Sequence, residues 1–297
     1  MEAVRAPFFT ATVVPVLLGA AIAWHQTSVF FPAGFILTLL GAVMIHAGLD
    51  LINDYYDHLS GVDEANKTPT PFSGGSRMIQ RGLLAPGQIL KGSILFFSGG
   101  AAIGLYLNHI LPGNVVLLVG ALGVFLAVFY SARPLSIGYT GFGELVCFAG
   151  FGPVITLGAY YVQNPSFSWL PVLASVPVGI LIALVLYINE FPDHDADKAK
   201  NKNTLVVIMG REKAVKFYPV FLGLSYAWIA AGVAAGIFPP YALAAFLTVP
   251  AGISAVKTAM AHYPEVDKLL PANAATIKLH LSVGLLLSVS FVIDKIL

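Results

Sequence analysis

LPVLASVPVGILIALVLYINEFPDHDADKAKNK, residues 170–202, decides the fold class. Its first part, 170–190, is apolar until it closes on Glu190; Asp193, Asp195 and Asp197 follow, then Lys198, Lys200 and Lys202. A helix of about 20 apolar residues crosses the hydrocarbon core of a bilayer. Here such a span ends in concentrated negative charge. A second stretch repeats the pattern: the span 34–54 carries Asp50, Asn53 and Asp54, with Asp57 just beyond, in DLINDYYDHLSGVD, residues 50–63.

Composition agrees with a membrane class. Of the 297 residues, 57% are hydrophobic and 10% charged, whereas a soluble domain carries roughly 25% charged residues. Apolar runs predict nine spans, at about 8–24, 34–54, 89–107, 114–131, 143–162, 170–190, 215–236, 239–258 and 276–294. The expected architecture is an all-α membrane protein of nine transmembrane helices. Two four-helix halves plus one helix would surround a central cavity, because an acidic cluster closes span two and another closes span six. The whole chain, 1–297, reads as one integral membrane domain, its first span a retained helix. The single Cys147 excludes an internal disulfide framework and a cysteine metal site. The balance of 16 basic and 15 acidic residues gives no footing for a nucleic-acid partner, and none is expected.

Charge asymmetry orients the chain. The connections near 25–33, 108–113, 163–169 and 237–239 contain no Lys or Arg, while the alternate ones hold nearly all of them. The positive-inside rule then places the N-terminus, the long connections 55–88 and 191–214, and both acidic clusters on the cytoplasmic side. An integral protein of a prokaryotic cell membrane, its site toward the cytoplasm, is expected.

Spacings of four and three put Asp50, Asp54 and Asp57 on one helical face, with Asn53 beside Asp57; Glu190, Asp193 and Asp197 share a face in the same way. Pro192 is expected to kink or end its helix. Like charges so grouped repel unless a cation compensates, and Mg²⁺ commonly bridges one or two carboxylates to a substrate phosphate. Asp50 and Glu190 lie deepest, where a carboxylate is a functional-site candidate by default. Asp195, Asp63 and Glu64 read as solvated.

A departing diphosphate needs positive charge. In NKTPTPFSGGSRMIQRGLL, residues 66–84, the backbone of Ser73-Gly74-Gly75-Ser76 can offer N–H groups to phosphate, with Lys67 and Arg77 adding charge. Arg133, in YSARPL, and Lys202 are further candidates; an ordinary turn and positive-inside anchors are the competing readings. Tyr130 is the best aromatic candidate to face a developing carbocation, most other interfacial tyrosines being anchors. His46, two turns before Asn53, either orients an acceptor or satisfies a buried hydrogen bond.

These residues resemble the UbiA superfamily of intramembrane prenyltransferases. Its first motif, N-D-x-x-D, reads Asn53-Asp54-Tyr55-Tyr56-Asp57; its second, D-x-x-x-D, runs from Asp193 to Asp197. The resemblance covers essentially the whole chain and is nearest to the menaquinone branch, which prenylates 1,4-dihydroxy-2-naphthoate. One departure is Gly61, where many members have a further Asp. The resemblance implies two Mg²⁺ ions held by Asn53, Asp54, Asp57, Asp193 and Asp197, an isoprenyl diphosphate and an aromatic acceptor as substrates, and the lipid bilayer as surroundings. Asp54, Asp57, Asp193, Asp197 and Tyr130 would carry catalysis. Lys67, Arg77, Arg133 and Lys202 would hold the diphosphate, and Asp50, His46 and Glu190 would position the acceptor. The competing functions are a relative with another acceptor, such as a different quinone precursor or a glyceryl lipid, and a cation-coupled transporter. A phosphatidyl-type transferase lacks its D-G-x-x-D-G-x-x-A-R pattern here.

Overall fold

A computed structural model of the chain describes residues 2–297. Among them there is no strand. Eight helices are long and apolar enough to cross a membrane: α1 (Ala6–Thr27), α2 (Pro32–Ser60) and α3 (Pro86–Ile110) precede the shorter α4 (Val115–Ser131), which α5 (Gly143–Gln163), α6 (Leu170–Ala199), α7 (Arg211–Ala234), α8 (Pro240–His262) and α9 (Val266–Ile296) follow. The protein is therefore an all-α integral membrane protein. The remaining predicted span falls on α4, which is apolar throughout but has only 17 residues. At 1.5 Å per residue that is about 25 Å, somewhat less than the hydrocarbon core.

Large apolar side chains on the outer faces of α3 and α4, such as Leu95 and Leu118, stay exposed to the surroundings. That surface suits lipid. The largest buried cluster joins α1 to α6, α7, α8 and α9. Small residues allow close helix approach there: a Cβ on Gly19 would run into the backbone of Thr156 and Tyr160 on α5.

Two helices outrun their apolar spans. The helix α2 continues six residues past 54, and α6 nine residues past 190, so both acidic motifs sit on helix extensions rather than in loops. Pro192 does not end α6. A proline at this position leaves the carbonyl of Ile188 without its intrahelical donor, and Asn273 on α9 supplies one, its Nδ2 3.1 Å from that oxygen. The same repair occurs at Pro177, where Trp228 Nε1 donates to the Leu173 carbonyl at 2.9 Å. In α5 the turn Gly150–Val154 widens to π-helical geometry around Pro153, a local irregularity frequent beside functional sites.

Candidate active site

A cavity of about 370 Å³ opens inside the bundle, within the usual range for ligand sites. Its wall comes from α1 to α6 and their connections; among the described residues none after Thr204 contributes. The cavity has two ends of different chemistry. One is apolar, formed by Leu37, Ile103, Leu107, Val119 and Val124 with several glycines among them. The other is polar, and both acidic motifs meet there.

Lys202 joins the motifs. Its ammonium lies 3.0 Å from Asp57 Oδ2 on α2 and 3.9 Å from Asp197 Oδ1 on α6, and it stands over the Tyr139 ring at 5.1 Å. Burial opposes its charge, but Asp57 and Asp197 outweigh that, and its pKa is raised well above the ordinary lysine value. Tyr139 donates to Asp57 Oδ1 at 2.5 Å and contacts Ser60. Asn53 Nδ2 reaches Ser131 at 3.1 Å and Asp57 at 3.4 Å.

The loop after α2 clamps the two motifs together from the side. Gly74 N donates to Asp193 Oδ2 at 3.1 Å, and Asn66 Nδ2 donates to Asp193 Oδ1 at 2.8 Å. Ser76 N donates to Asp54 at 3.2 Å. The glycine-rich backbone thus holds carboxylates with the N–H groups expected to face phosphate. Glycine is required at 75: its φ is +75°, and a Cβ would stand 2.8 Å from Asp63 Oδ2.

Arg5 closes the polar end. Its guanidinium donates to Asp54 and, at 3.3 Å, to Asn53 Oδ1, while its Nε is buried without a partner. Burial opposes its charge, yet Asp54 and Asp50 more than compensate and the pKa is raised. Asp63, expected to be solvated, is 2% exposed and lines the cavity. Burial and the nearby Asp57 and Asp54 push its pKa up.

The deeper candidates also reach the cavity. His46 Nδ1 is 2.8 Å from Thr12 Oγ1 and its Nε2 is 3.8 Å from Asp50 Oδ1. Asp50 Oδ2 is buried without a partner. Glu190 and Tyr130 line the same wall. Lys67 and Arg133 are exposed and lie off the cavity lining. Arg77 donates to the Asp63 carbonyl and so braces the loop. Asp54 is buried but also off the lining, engaged by Arg5 and Ser76. Asp195 is exposed and pairs with Arg211 and His194.

Sequence reasoning did not single out Arg5, Asn66, Tyr139 or Asp63 as site residues. Arg5 carried a signal, being the one Lys or Arg ahead of the first span, but a positive-inside anchor explained it equally well. The others needed the loop path.

Such a site defines a class: an intramembrane transferase acting on a substrate with an anionic head and an apolar body. The chain belongs to the UbiA prenyltransferase family, whose sequence profile matches residues 12–273. The 1,4-dihydroxy-2-naphthoate octaprenyltransferase of Bacillus subtilis is 28% identical over 285 residues, covering 96% of this chain and 89% of the relative. The enzyme of the same name from Mycobacterium tuberculosis is 31% identical over 214 residues, covering 72% of this chain and 70% of its own. The fold matches a UbiA homolog from Aeropyrum pernix K1 with TM-score 0.67 at 17% identity, over 97% of this chain and 98% of that one. A UbiA homolog from Archaeoglobus fulgidus bound to GPP and Mg²⁺ matches with TM-score 0.64 at 14% identity, over 96% and 97%.

Proposed function

We propose that this prenyltransferase moves a polyprenyl group from an isoprenyl diphosphate to 1,4-dihydroxy-2-naphthoate, with loss of CO₂, at the cytoplasmic side of a prokaryotic cell membrane. The observation that carries the reading is the polar end of the cavity, where carboxylates from α2 and α6 face one another across Lys202. The names of the relatives support the acceptor.

The donor set suits Mg²⁺. It consists of hard oxygens from Asn53, Asp54, Asp57, Asp193 and Asp197, and Asp197 Oδ1 is buried with no hydrogen-bond partner. Among the described residues no three His, Cys, Asp or Glu side chains gather tightly enough to hold an ion by themselves. Mg²⁺ commonly takes one or two carboxylates and completes its shell with water and substrate phosphate, so two ions shared between the motifs and a diphosphate fit. When bound, they supply neutralisation of the diphosphate and stabilisation of its departure.

The chain's own groups do the rest. Lys202 and Arg5 carry positive charge into the polar end, where the diphosphate's own charge would compete for them. The apolar end accepts the tail. As the allylic C–O bond breaks, its electron pair leaves with the diphosphate. Tyr130 and the apolar wall shield the cation from water, and a ring carbon of the acceptor closes the new C–C bond. Asp50, His46 and Glu190 position that ring.

Purified protein incubated with Mg²⁺, a panel of prenyl diphosphates and several aromatic acceptors tests this by product mass. A prenylated, decarboxylated naphthalenediol is expected. Product only from a different acceptor would reject the acceptor assignment.

A further inference from the structure

The cavity takes nothing from α7 or α8, yet these two helices hold a groove of about 400 Å³ between them. Pro219, Leu222 and Tyr226 line it from α7, and Val249, Gly252 and Val256 from α8. Both sets are spaced three and four, so each helix offers one apolar face. Gly223 lines the groove too, and a Cβ there would meet nothing within 4 Å. A 2.6 Å hydrogen bond between the Tyr226 and Thr248 hydroxyls ties the helices at the inner end. Lys257 marks the outer end. Because α7 leaves the side of the acidic motifs and α8 returns to it, Lys257 stands on that side. Val249 and Lys257 are eight residues apart, about 12 Å along the helix, close to half of a hydrocarbon core about 30 Å thick. Lys257 is exposed, and among the described residues it has no ion-pair partner. The acids at the adjoining helix ends are engaged elsewhere, Glu212 by Lys216, and Glu265 by Lys268 and His262. A lysine near a helix end also serves as an interfacial anchor, but an anchor needs no groove beneath it.

We propose that the groove between α7 and α8 binds an anionic phospholipid of the leaflet on the side of the acidic motifs. One acyl chain lies along Leu222, Gly223 and Val256, and the phosphate meets Lys257. An apolar slot one leaflet deep with an uncompensated cation at its interfacial end matches that molecule in both length and charge. A zwitterionic lipid fits the slot equally well but gains less at Lys257, because its headgroup carries a cation of its own. Basic pockets between membrane helices select anionic headgroups in this way. The site is separate from the prenyl-transfer cavity, which has its own lining.

The test titrates full-length wild type, Lys257→Gln and Gly223→Leu in detergent with phosphatidylglycerol and with phosphatidylcholine of the same acyl chains. Native mass spectrometry counts the bound lipid. Wild type should hold one phosphatidylglycerol about fivefold more tightly than phosphatidylcholine, the contribution of one lysine beside an anionic head. Lys257→Gln should bring the two lipids within about twofold of each other. Gly223→Leu puts a side chain into the open space and should weaken both at least about fivefold, the effect of displacing one or two buried methylenes. Equal binding of the two lipids to wild type, or an unchanged preference in Lys257→Gln, would overturn the proposal. Loss of the bound lipid on adding geranylgeranyl diphosphate would overturn it too, by making the groove a station for the prenyl donor. So would a mass of two chains that Gly223→Leu abolishes, by making the groove a contact between copies.

Discussion

Lys202 Nζ sits 3.0 Å from Asp57 Oδ2, although the two residues are 145 positions apart, and this contact links the stretch after the second acidic motif to the first motif. Both groups are largely buried. Removing one partner of a buried pair leaves an uncompensated charge, which costs about 3–5 kcal/mol. Lys202→Met should therefore lower the melting temperature in EDTA, and added Mg²⁺ should restore much of the loss if the carboxylates bind it. Prenyl transfer should fall about 100-fold or more, because the charge in the site contributes at the scale of electrostatic catalysis. Differential scanning fluorimetry with and without Mg²⁺, alongside product assays, checks both.

Asp193 is held by Asn66 and Gly74 and so anchors the loop. Asp193→Ala and Asp54→Ala should abolish transfer while leaving folded, detergent-stable protein. Full activity in either variant under excess Mg²⁺ would contradict the assignment.

Arg5 holds Asp54 and Asn53 from outside the first span. A guanidinium's planar fork fixes the geometry of two acceptors at once, whereas an ammonium acts as a flexible point charge. Arg5→Lys should raise the KM for prenyl diphosphate roughly tenfold, about 1.4 kcal/mol, and Arg5→Gln should raise it further. Initial rates over a diphosphate titration measure this.

Gly104 lines the apolar end, and a Cβ there would meet nothing within 4 Å. A larger side chain can enter that space without backbone strain. Gly104→Phe should raise the ratio of geranyl to long-chain transfer at least about tenfold, as blocking an apolar pocket typically does. Competition between diphosphates of different length, read by product mass, gives the ratio.

Much of this organisation was legible in the residues. Apolar runs located the helices because bilayer thickness fixes their length, and charge asymmetry put Asp57 and Asp197 at the same end. Hydropathy could not show that α2 and α6 continue beyond the apolar run, since a helix does not stop where a membrane does. Pro192 misled for a related reason: the replacement donor is Asn273, 81 positions later, and no local pattern reveals it. Gly74 and Ser76 read as backbone donors to phosphate, whereas in the structure their N–H groups hold the carboxylates of Asp193 and Asp54. Asp63 stayed hidden because burial of a polar side chain depends on how loops and neighbouring helices close over it.

The claim that the two motifs form one diphosphate site is tested most directly by a double-mutant cycle on Asp57 and Asp197. The measurement is binding of a non-cleavable prenyl thiodiphosphate with Mg²⁺, by calorimetry, to wild type, Asp57→Asn, Asp197→Asn and the double variant. Residues sharing one ligand network couple by about 0.5–3 kcal/mol, whereas independent sites add. One site predicts that the double variant binds little worse than either single. Losses that simply add would contradict it.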